Sequence, residues 1–414
     1  MIHDVIGVGF GPSNIALAIA MEERGFQGKV LFLERNAEAS WQQGMLLRGS
    51  DIQNNPLRDL VTPVNPRSQY TFVNYLHQSG RLFHFLNLPL AHPLRRDYYD
   101  YIQWVARHFQ NVKYGISVSG VEVVDLEGRR LWKVTSAQGS QYLARTLVMG
   151  TGRNLNIPDI PGVDSDNVIH LVDYLHRIGQ YGKDARICVL GASQSAVEIL
   201  LDLLGRGHEH IDSVHRSFSY CLKDTSAFSD EVYFPEFVDY YHALPHGKRS
   251  ELDKQVRRTN YSSVDKDVLD ALYVALYEDR ITSRERVTLR RNHAVDEINP
   301  EGRKALRIRD VYTGKAEEIP CDLVILATGF LDVGRSGREG LPRLLKDLSG
   351  DFSWQENYLD VERSYRVTPR EGAALPDLYL NGLCESSHGL GDAGSFSLVS
   401  LRAKDLLDSI TQRS

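Results

Sequence analysis

Two short stretches carry residues of the type and spacing that hold a pyrophosphate. In HDVIGVGFGPSN an apolar strand, Val5 to Val8 behind Asp4, runs into Gly9, Gly11 and Pro12 and then into IALAIAMEE, which has helical periodicity. Strand, tight turn and helix start are the parts of a dinucleotide-binding βαβ unit, where N–H groups at a helix N-terminus face phosphate oxygens. Gly9 permits the turn, and Gly11 lets the backbone approach the phosphate without a Cβ. Asn14 stands where a third glycine is usual, so the fingerprint is imperfect. The next strand, in GKVLFLER, ends on Glu34 about 20 residues further on, where a carboxylate can take ribose hydroxyls.

The second stretch, ARICVLGASQSAVEILLDLL, repeats the pattern with a strand from Ile187 to Leu190 and a turn at Gly191, Ser193 and Ser195. The strand after its helix ends on His215, Arg216 and Ser217 in place of an acid. A cation there can pair with a 2′-phosphate, so this turn reads as an NADPH site; a solvated surface charge is the alternative for Arg216. In SSHGLGDAGSFS, His388 and Asp392 suggest acid–base chemistry. A structural histidine beside a helix N-terminus aimed at a cofactor ring reads equally well.

The elements that position these residues follow from pattern. At 414 residues the chain needs two or three domains. Charged residues are 25% and hydrophobic ones 42%, which excludes disorder, and the net charge of −6 argues against a nucleic-acid partner. The most apolar N-terminal run, Ile15 to Met21, has no basic leader and lies inside the βαβ unit, so it reads as a core helix, with no membrane segment. Four cysteines, Cys188, Cys221, Cys321 and Cys384, form no CxxC pair, which implies reduced thiols in the cytoplasm and no metal.

After Glu34 the chain has neither clean period, so an extended loop is expected, with Trp41 as packing and Gln53 as a loop amide. Helical spacing returns from Gln69 to Leu82 and in RRDYYDYIQWVARHF. Alternation from Val118 to Val124 and in LWKVTS marks β structure. A strand, Leu147 to Met149, then ends in Gly150, Thr151 and Gly152, with prolines at 158 and 161. That is how a two-dinucleotide flavoprotein leaves its first domain, and CDLVILATGF repeats the ending, so the chain crosses between nucleotide domains twice. From Leu222 to about Val268 the texture is polar and aromatic, as in a substrate cap inserted into the second domain. An α/β fold follows, with two Rossmann-like dinucleotide-binding domains: residues 1–160 and 326–414 for FAD, 161–222 and 268–325 for NADPH, and 223–267 as the insertion.

Taken together, VGFGPSNIALAIA, WQQGMLL, QNNPLRDL, NPRSQYTFVNYL, PLRRDYYDYIQW, GASQSAVE, FSDEVYFPE, TNYSSVD, LATGF and SSHGLGDAGSFSLVSLRA resemble the microbial N-hydroxylating flavoprotein monooxygenases, the ornithine and lysine hydroxylases of siderophore biosynthesis. The match runs in order along nearly the whole chain, and TNYSSVD is nearer the ornithine branch. The resemblance implies O2-dependent hydroxylation of a primary amine with FAD and NADPH through a hydroperoxyflavin, and a homo-oligomer, commonly a tetramer. It places Gly9, Gly11, Pro12 and Glu34 at the FAD adenosine end and Trp41 and Gln53 beside the flavin, replacing the blander readings of those two. Gly191, Ser193, Gln194 and Ser195 fall on the NADPH turn with Arg216, while Thr328, Gly329 and Asp392 complete the cofactor set. Asn260 aligns with an asparagine that holds substrate and nicotinamide ribose and Ser397 with a serine near the flavin and the substrate amine, and the substrate set is Gln53, Arg58, Asp230, Asn260 and Ser397.

Three positions depart from the family pattern: Arg58 replaces a substrate-binding lysine, Asp230 replaces an asparagine, and the HGL turn has one extra residue with Gly394 and Ser395 for apolar residues. Gln42 also stands where histidine is frequent. Arg58 offers a planar fork for a carboxylate, whereas Asp230 repels a carboxylate and welcomes an ammonium. An ornithine-type substrate is the first expectation, with aspartate or lysine as alternatives. Since a lysine-like amine has a pKa of about 10.4 and must attack uncharged, desolvation in a closed site is needed, no dedicated protein base is assigned, and the rate should rise towards about pH 8–9. A disulfide reductase lacks its cysteine pair here, a non-catalytic NADP sensor has no use for the flavin turn, and a carbon- or sulfur-oxidising flavin monooxygenase is the nearest competitor.

Overall fold

The computed structural model describes residues 1–334 and 339–413. Its first sheet is built on the strand Ile2–Val8, paired in parallel with Val30–Leu33 on one side and Gln141–Met149 on the other. Val112–Lys113 extends it beyond Val30–Leu33, and an antiparallel meander of Val118–Leu126 and Arg129–Ser136 continues from Gln141–Met149. The register sets Val8 level with both Leu33 and Met149, so three strand ends meet at one crevice. Leu378–Leu380 joins the free edge of Leu147–Met149 and carries the C-terminal segment to the same place. The helix Pro12–Glu23 is buried from Asn14 to Ile19 because it lies between the sheet and the last helix, Val399–Arg413. A helix covered on both sides loses the one-sided apolar stripe of a surface helix.

The second sheet is wholly parallel, in the order Val287–Arg291, His210–His215, Arg186–Leu190, Leu323–Leu326, Val168–His170. A small antiparallel meander, His293–Ile298, Ala305–Asp310 and Ala316–Pro320, packs beside it. The two crossings between sheets lie together: Asn154–Leu155 pairs antiparallel with Phe330–Leu331. Asn156 Nδ2 donates to the Thr328 carbonyl, Thr328 Oγ1 donates to the Asn156 carbonyl, and the Gly329 carbonyl accepts the Asn156 N–H. Between His215 and Lys266 the chain forms only helical turns, chiefly Pro235–Ala243 and His246–Val256, with a single bridge between Leu222 and Val264.

Local differences from the sequence reading have physical causes. The helical stretch at Gln69 to Leu82 is two helices, Phe72–Gln78 and Leu82–Leu86, because Gly80 adopts φ of 69° and ends the first one. Cys188 and Cys321, far apart in sequence, meet in the core between the second sheet and the small meander. The Cys321 thiol beside it and burial push the Cys188 thiol well up, so that thiol stays protonated and inert.

Candidate functional site

Gly9 has φ of 86°, and a Cβ there would stand 2.5 Å from the Gly150 carbonyl oxygen, so both backbone shape and close approach require glycine. Gly11 caps the helix without a side-chain hydrogen bond, and nothing lies within 4 Å of where its Cβ would be. Pro12 opens the helix without an N–H to satisfy. Glu34 is buried at the crevice edge: its Oε2 accepts the Phe10 N–H at 2.7 Å and its Oε1 accepts the Asn36 N–H at 2.9 Å. Each oxygen keeps a second lone pair for a ribose hydroxyl.

Asn14, the apparent defect of the motif, does structural work. Its Nδ2 donates to the carbonyls of Gly9 (2.7 Å) and Val8 (3.3 Å), and its Oδ1 accepts from Asn381 Nδ2 at 3.0 Å. The room a third glycine would give is supplied by Gly150, where any Cβ would overlap the Asn14 amide.

The second turn is built alike. Gly191 has φ of 145°, a Cβ on it would lie 2.5 Å from the Ala327 carbonyl oxygen, and Ser193 caps the helix Gln194–Arg206 without using its hydroxyl. Two helix starts without a side-chain capping hydrogen bond, each behind a glycine turn, leave N–H groups for two pyrophosphates, so these residues fit both FAD and NADPH. Ser195 lies in the first turn of that helix. Gln194 is tied inward instead: its N–H donates to the Ser263 carbonyl, its Oε1 accepts the Asp265 N–H and its Nε2 donates to Glu198. Glu198 also accepts from Arg95 at 3.1 Å in a buried ion pair that joins the two domains. Arg216 is exposed and, among the described residues, makes no ion pair. The register sets Arg291 opposite His215, so a second cation, 5.3 Å from the centre of the Phe218 ring, lies at the strand end that precedes Arg216. Sequence reading missed Arg291, although VTLRRNH ends the neighbouring strand.

A third group gathers where the insertion meets the first domain. Arg58 Nη1 lies 3.4 Å from Ser397 Oγ, and its guanidinium stands 5.9 Å from the centre of the Tyr233 ring, with no carboxylate partner among the described residues. Ser397 Oγ donates to Asn54 Oδ1 at 2.9 Å and accepts from Ser395 Oγ at 2.9 Å, while Asn54 Nδ2 donates to the Arg58 carbonyl. Asn54 was not singled out in the sequence; it fixes both flanks of the pocket. Asp230 has no ion-pair partner among the described residues, and burial, then the Asp230 charge, push the Tyr233 phenol up. Asn260 Nδ2 donates to the Leu390 carbonyl at 3.5 Å. Trp41 packs edge-on against Phe396 at 4.9 Å, and Gln53 has φ of 52° with its Oε1 accepting from Lys223.

Asp392 and His388 lie beneath this pocket. Asp392 is buried, its Oδ1 2.7 Å from Arg402 Nη1 and its Oδ2 accepting the Cys384 N–H. The His388 ring stacks on Tyr365 at 4.0 Å, and burial pushes its pKa well down. It is a neutral packing ring rather than an acid or base.

Two dinucleotide domains crossed twice by a paired ribbon, with a cation that has no ion-pair partner among the described residues where the insertion meets the first domain, define a two-dinucleotide flavoprotein fold. The chain matches the L-lysine 6-monooxygenase/L-ornithine 5-monooxygenase family over residues 1–332 and belongs to it. It is 37% identical over 407 residues to the L-ornithine N(5)-monooxygenase of Burkholderia cepacia, covering 94% of this chain and 90% of that one. Its fold superposes with TM-score 0.90 and 32% identity on the ornithine hydroxylase PvdA of Pseudomonas aeruginosa, covering 100% and 99% of the two chains. The ornithine N-hydroxylase KtzI of Kutzneria sp. 744, in a structure holding reduced FAD, NADP+ and L-ornithine, gives 0.91 and 29% over the whole of both chains.

Proposed function

We propose that this chain is an FAD- and NADPH-dependent monooxygenase that hydroxylates the primary amine of an L-ornithine-type amino acid, yielding a hydroxylamine for a siderophore or another natural product. The observation that carries the reading is the Arg58 guanidinium beside Ser397, without an ion-pair partner among the described residues, in a chain with two glycine turns whose helix starts have no side-chain cap. Residues 1–160 and 326–414 would hold FAD, residues 161–222 and 268–325 would hold NADPH, and 223–267 would cap the substrate. That no described helix is long and apolar enough to cross a membrane is compatible with work in the cytoplasm. An oligomer is supported by family analogy and by Tyr273, Val274, Tyr277 and Ile281, exposed along one helix.

Bound FAD would supply hydride acceptance from NADPH and transfer of one oxygen of O2 to nitrogen. The protein's part is placement. Arg58 takes the α-carboxylate, Asp230 takes the α-ammonium, and Asn260 and Ser397 orient the amine end. Closure by the insertion excludes water and favours the uncharged amine, so no side chain need act as a base.

NADPH oxidation coupled to hydroxylamine detection, run across ornithine, lysine, aspartate and small diamines from pH 6 to 9, tests this. Ornithine should give the highest kcat/KM; NADPH oxidation with no hydroxylamine from any amine would overturn the reading. A second expectation concerns Gly394. A Cβ there would stand 2.5 Å from Asn260 Nδ2 and 2.8 Å from Glu385 Oε1, and would also meet Tyr261 Oη. The Gly394→Ala variant should lose between about 10- and 100-fold in kcat/KM as Asn260 and the Tyr261–Glu385 pair are displaced, with some fall in melting temperature. Unchanged steady-state kinetics would remove Asn260 from the account.

A further inference from the structure

Lys223, in the first residues of the insertion, does not touch either dinucleotide turn directly. Its Nζ lies 3.0 Å from Gln53 Oε1 and 3.7 Å from an Asp265 carboxylate oxygen, and its side chain is 11% exposed. The Lys223 N–H donates to the Val264 carbonyl, so the backbone below it is held as well. Gln53 sits in the left-handed region, with its own N–H donating to Asp51 Oδ1 at 2.9 Å. Its Nε2 is buried and has no hydrogen-bond partner among the described residues. The next residue, Asn54, accepts the Ser397 hydroxyl in the substrate pocket.

We propose that Lys223 is a positioning residue which locks the Gln53 amide in one orientation, presenting Nε2 as a donor to an oxygen-bearing group of the flavin or the reacting complex. The inference rests on the function proposed above. An ammonium has three donors and no acceptor, so only the amide oxygen can face it. Turning the amide over would set NH2 against NH3+ and discard a charge-assisted hydrogen bond. The donor end is therefore fixed before any ligand arrives, and a preorganised donor in a water-poor site favours oxygen that gains negative charge. Asp265 keeps the lysine charge compensated, and its N–H donates to Gln194 Oε1, so one short chain of contacts ties Gln53 to the second turn.

The test is a double-mutant cycle on the full-length protein with Lys223→Met, Gln53→Ala and both together, and Lys223→Arg as the conservative variant. Two quantities are read: the dissociation constant of FAD from fluorescence quenching on titrating apoprotein, and the share of NADPH electrons recovered as hydroxylamine rather than peroxide. Loss of one neutral hydrogen bond predicts about fivefold weaker FAD binding or a comparable rise in the peroxide share, the same in Lys223→Met and Gln53→Ala. The double variant should be no worse than Gln53→Ala, and Lys223→Arg should stay near wild type. Full additivity, no effect of Lys223→Met on either quantity, or failure of arginine to substitute would each overturn the proposal. Should Lys223→Met fail to fold, Lys223→Gln takes its place in the cycle. Hydroxylamine formation by the unmutated enzyme is scored separately, so failure of the underlying function is told apart from failure of Lys223.

Discussion

Replacing Arg402 by methionine should lower the stability of the FAD-side domain by about 3–5 kcal/mol, the cost of stranding a buried charge. Arg402 is 2% exposed and binds three separate parts of the chain. Its Nη1 pairs with Asp392 Oδ1 and also meets the Asp392 carbonyl, its Nε donates to Asn381 Oδ1 at 2.8 Å, and its Nη2 donates to Ser13 Oγ at 3.0 Å. Ser13 belongs to the first glycine turn, and Asn381 holds Asn14 of the same turn. One side chain from the last helix thus fixes both the pyrophosphate turn and the segment beneath the substrate pocket. Methionine fills much of the volume but leaves the Asp392 carboxylate buried, with the Cys384 N–H as its remaining hydrogen-bond donor among the described residues. Urea unfolding of the flavin-free protein should show the loss, and the purified variant should retain less FAD. Arg402→Met combined with Asp392→Leu should recover part of the stability, because the stranded charge is then gone. A single variant that unfolds at the wild-type urea concentration would mean that the pair does not hold the turn.

What the sequence disclosed and what it hid divide by range. Gly9, Gly11 and Gly191 were legible because a glycine turn between an apolar strand and a helix is a local pattern whose cause, positive φ or a missing Cβ, lies within a few residues. Glu34 was legible by its distance from that turn. Asn14 reads as a flaw in the sequence because its compensation comes from Gly150 and from Asn381, 367 residues away. The same range hides the contact of Arg402 with Ser13, the meeting of Cys188 with Cys321, and Arg291, which strand register sets opposite His215. The loop around Trp41 and Gln53 carries no periodic signal at all. It is ordered by single contacts, Trp41 on Phe396 and Gln53 on Lys223, which no pattern of hydrophobicity encodes.

The pocket's charge pattern makes the second large prediction. Arg58 stands 5.9 Å from the centre of the Tyr233 ring, the opposite charge of Asp230 acts on the same phenol, and neither is neutralised by an ion pair among the described residues. A zwitterionic amino-acid head satisfies both at once, carboxylate on guanidinium and ammonium on carboxylate, and its side-chain amine is then free to reach Ser397 and Asn260. Arg58→Ala should therefore raise KM for ornithine by roughly 10- to 150-fold, the equivalent of about 1.5–3 kcal/mol for hydrogen bonds to a charged group, with a smaller change in kcat. Arg58→Lys keeps the charge and loses the fork, so its KM should fall between the two. Asp230→Asn should cost ornithine about tenfold in kcat/KM, through loss of an ammonium contact, while easing the repulsion of a second carboxylate. Aspartate should thus gain on ornithine in that variant and lose ground in Arg58→Ala. Steady-state kinetics of the three variants with both amino acids would decide the matter. A KM for ornithine within twofold of wild type in Arg58→Ala would mean that the guanidinium faces something other than the substrate carboxylate.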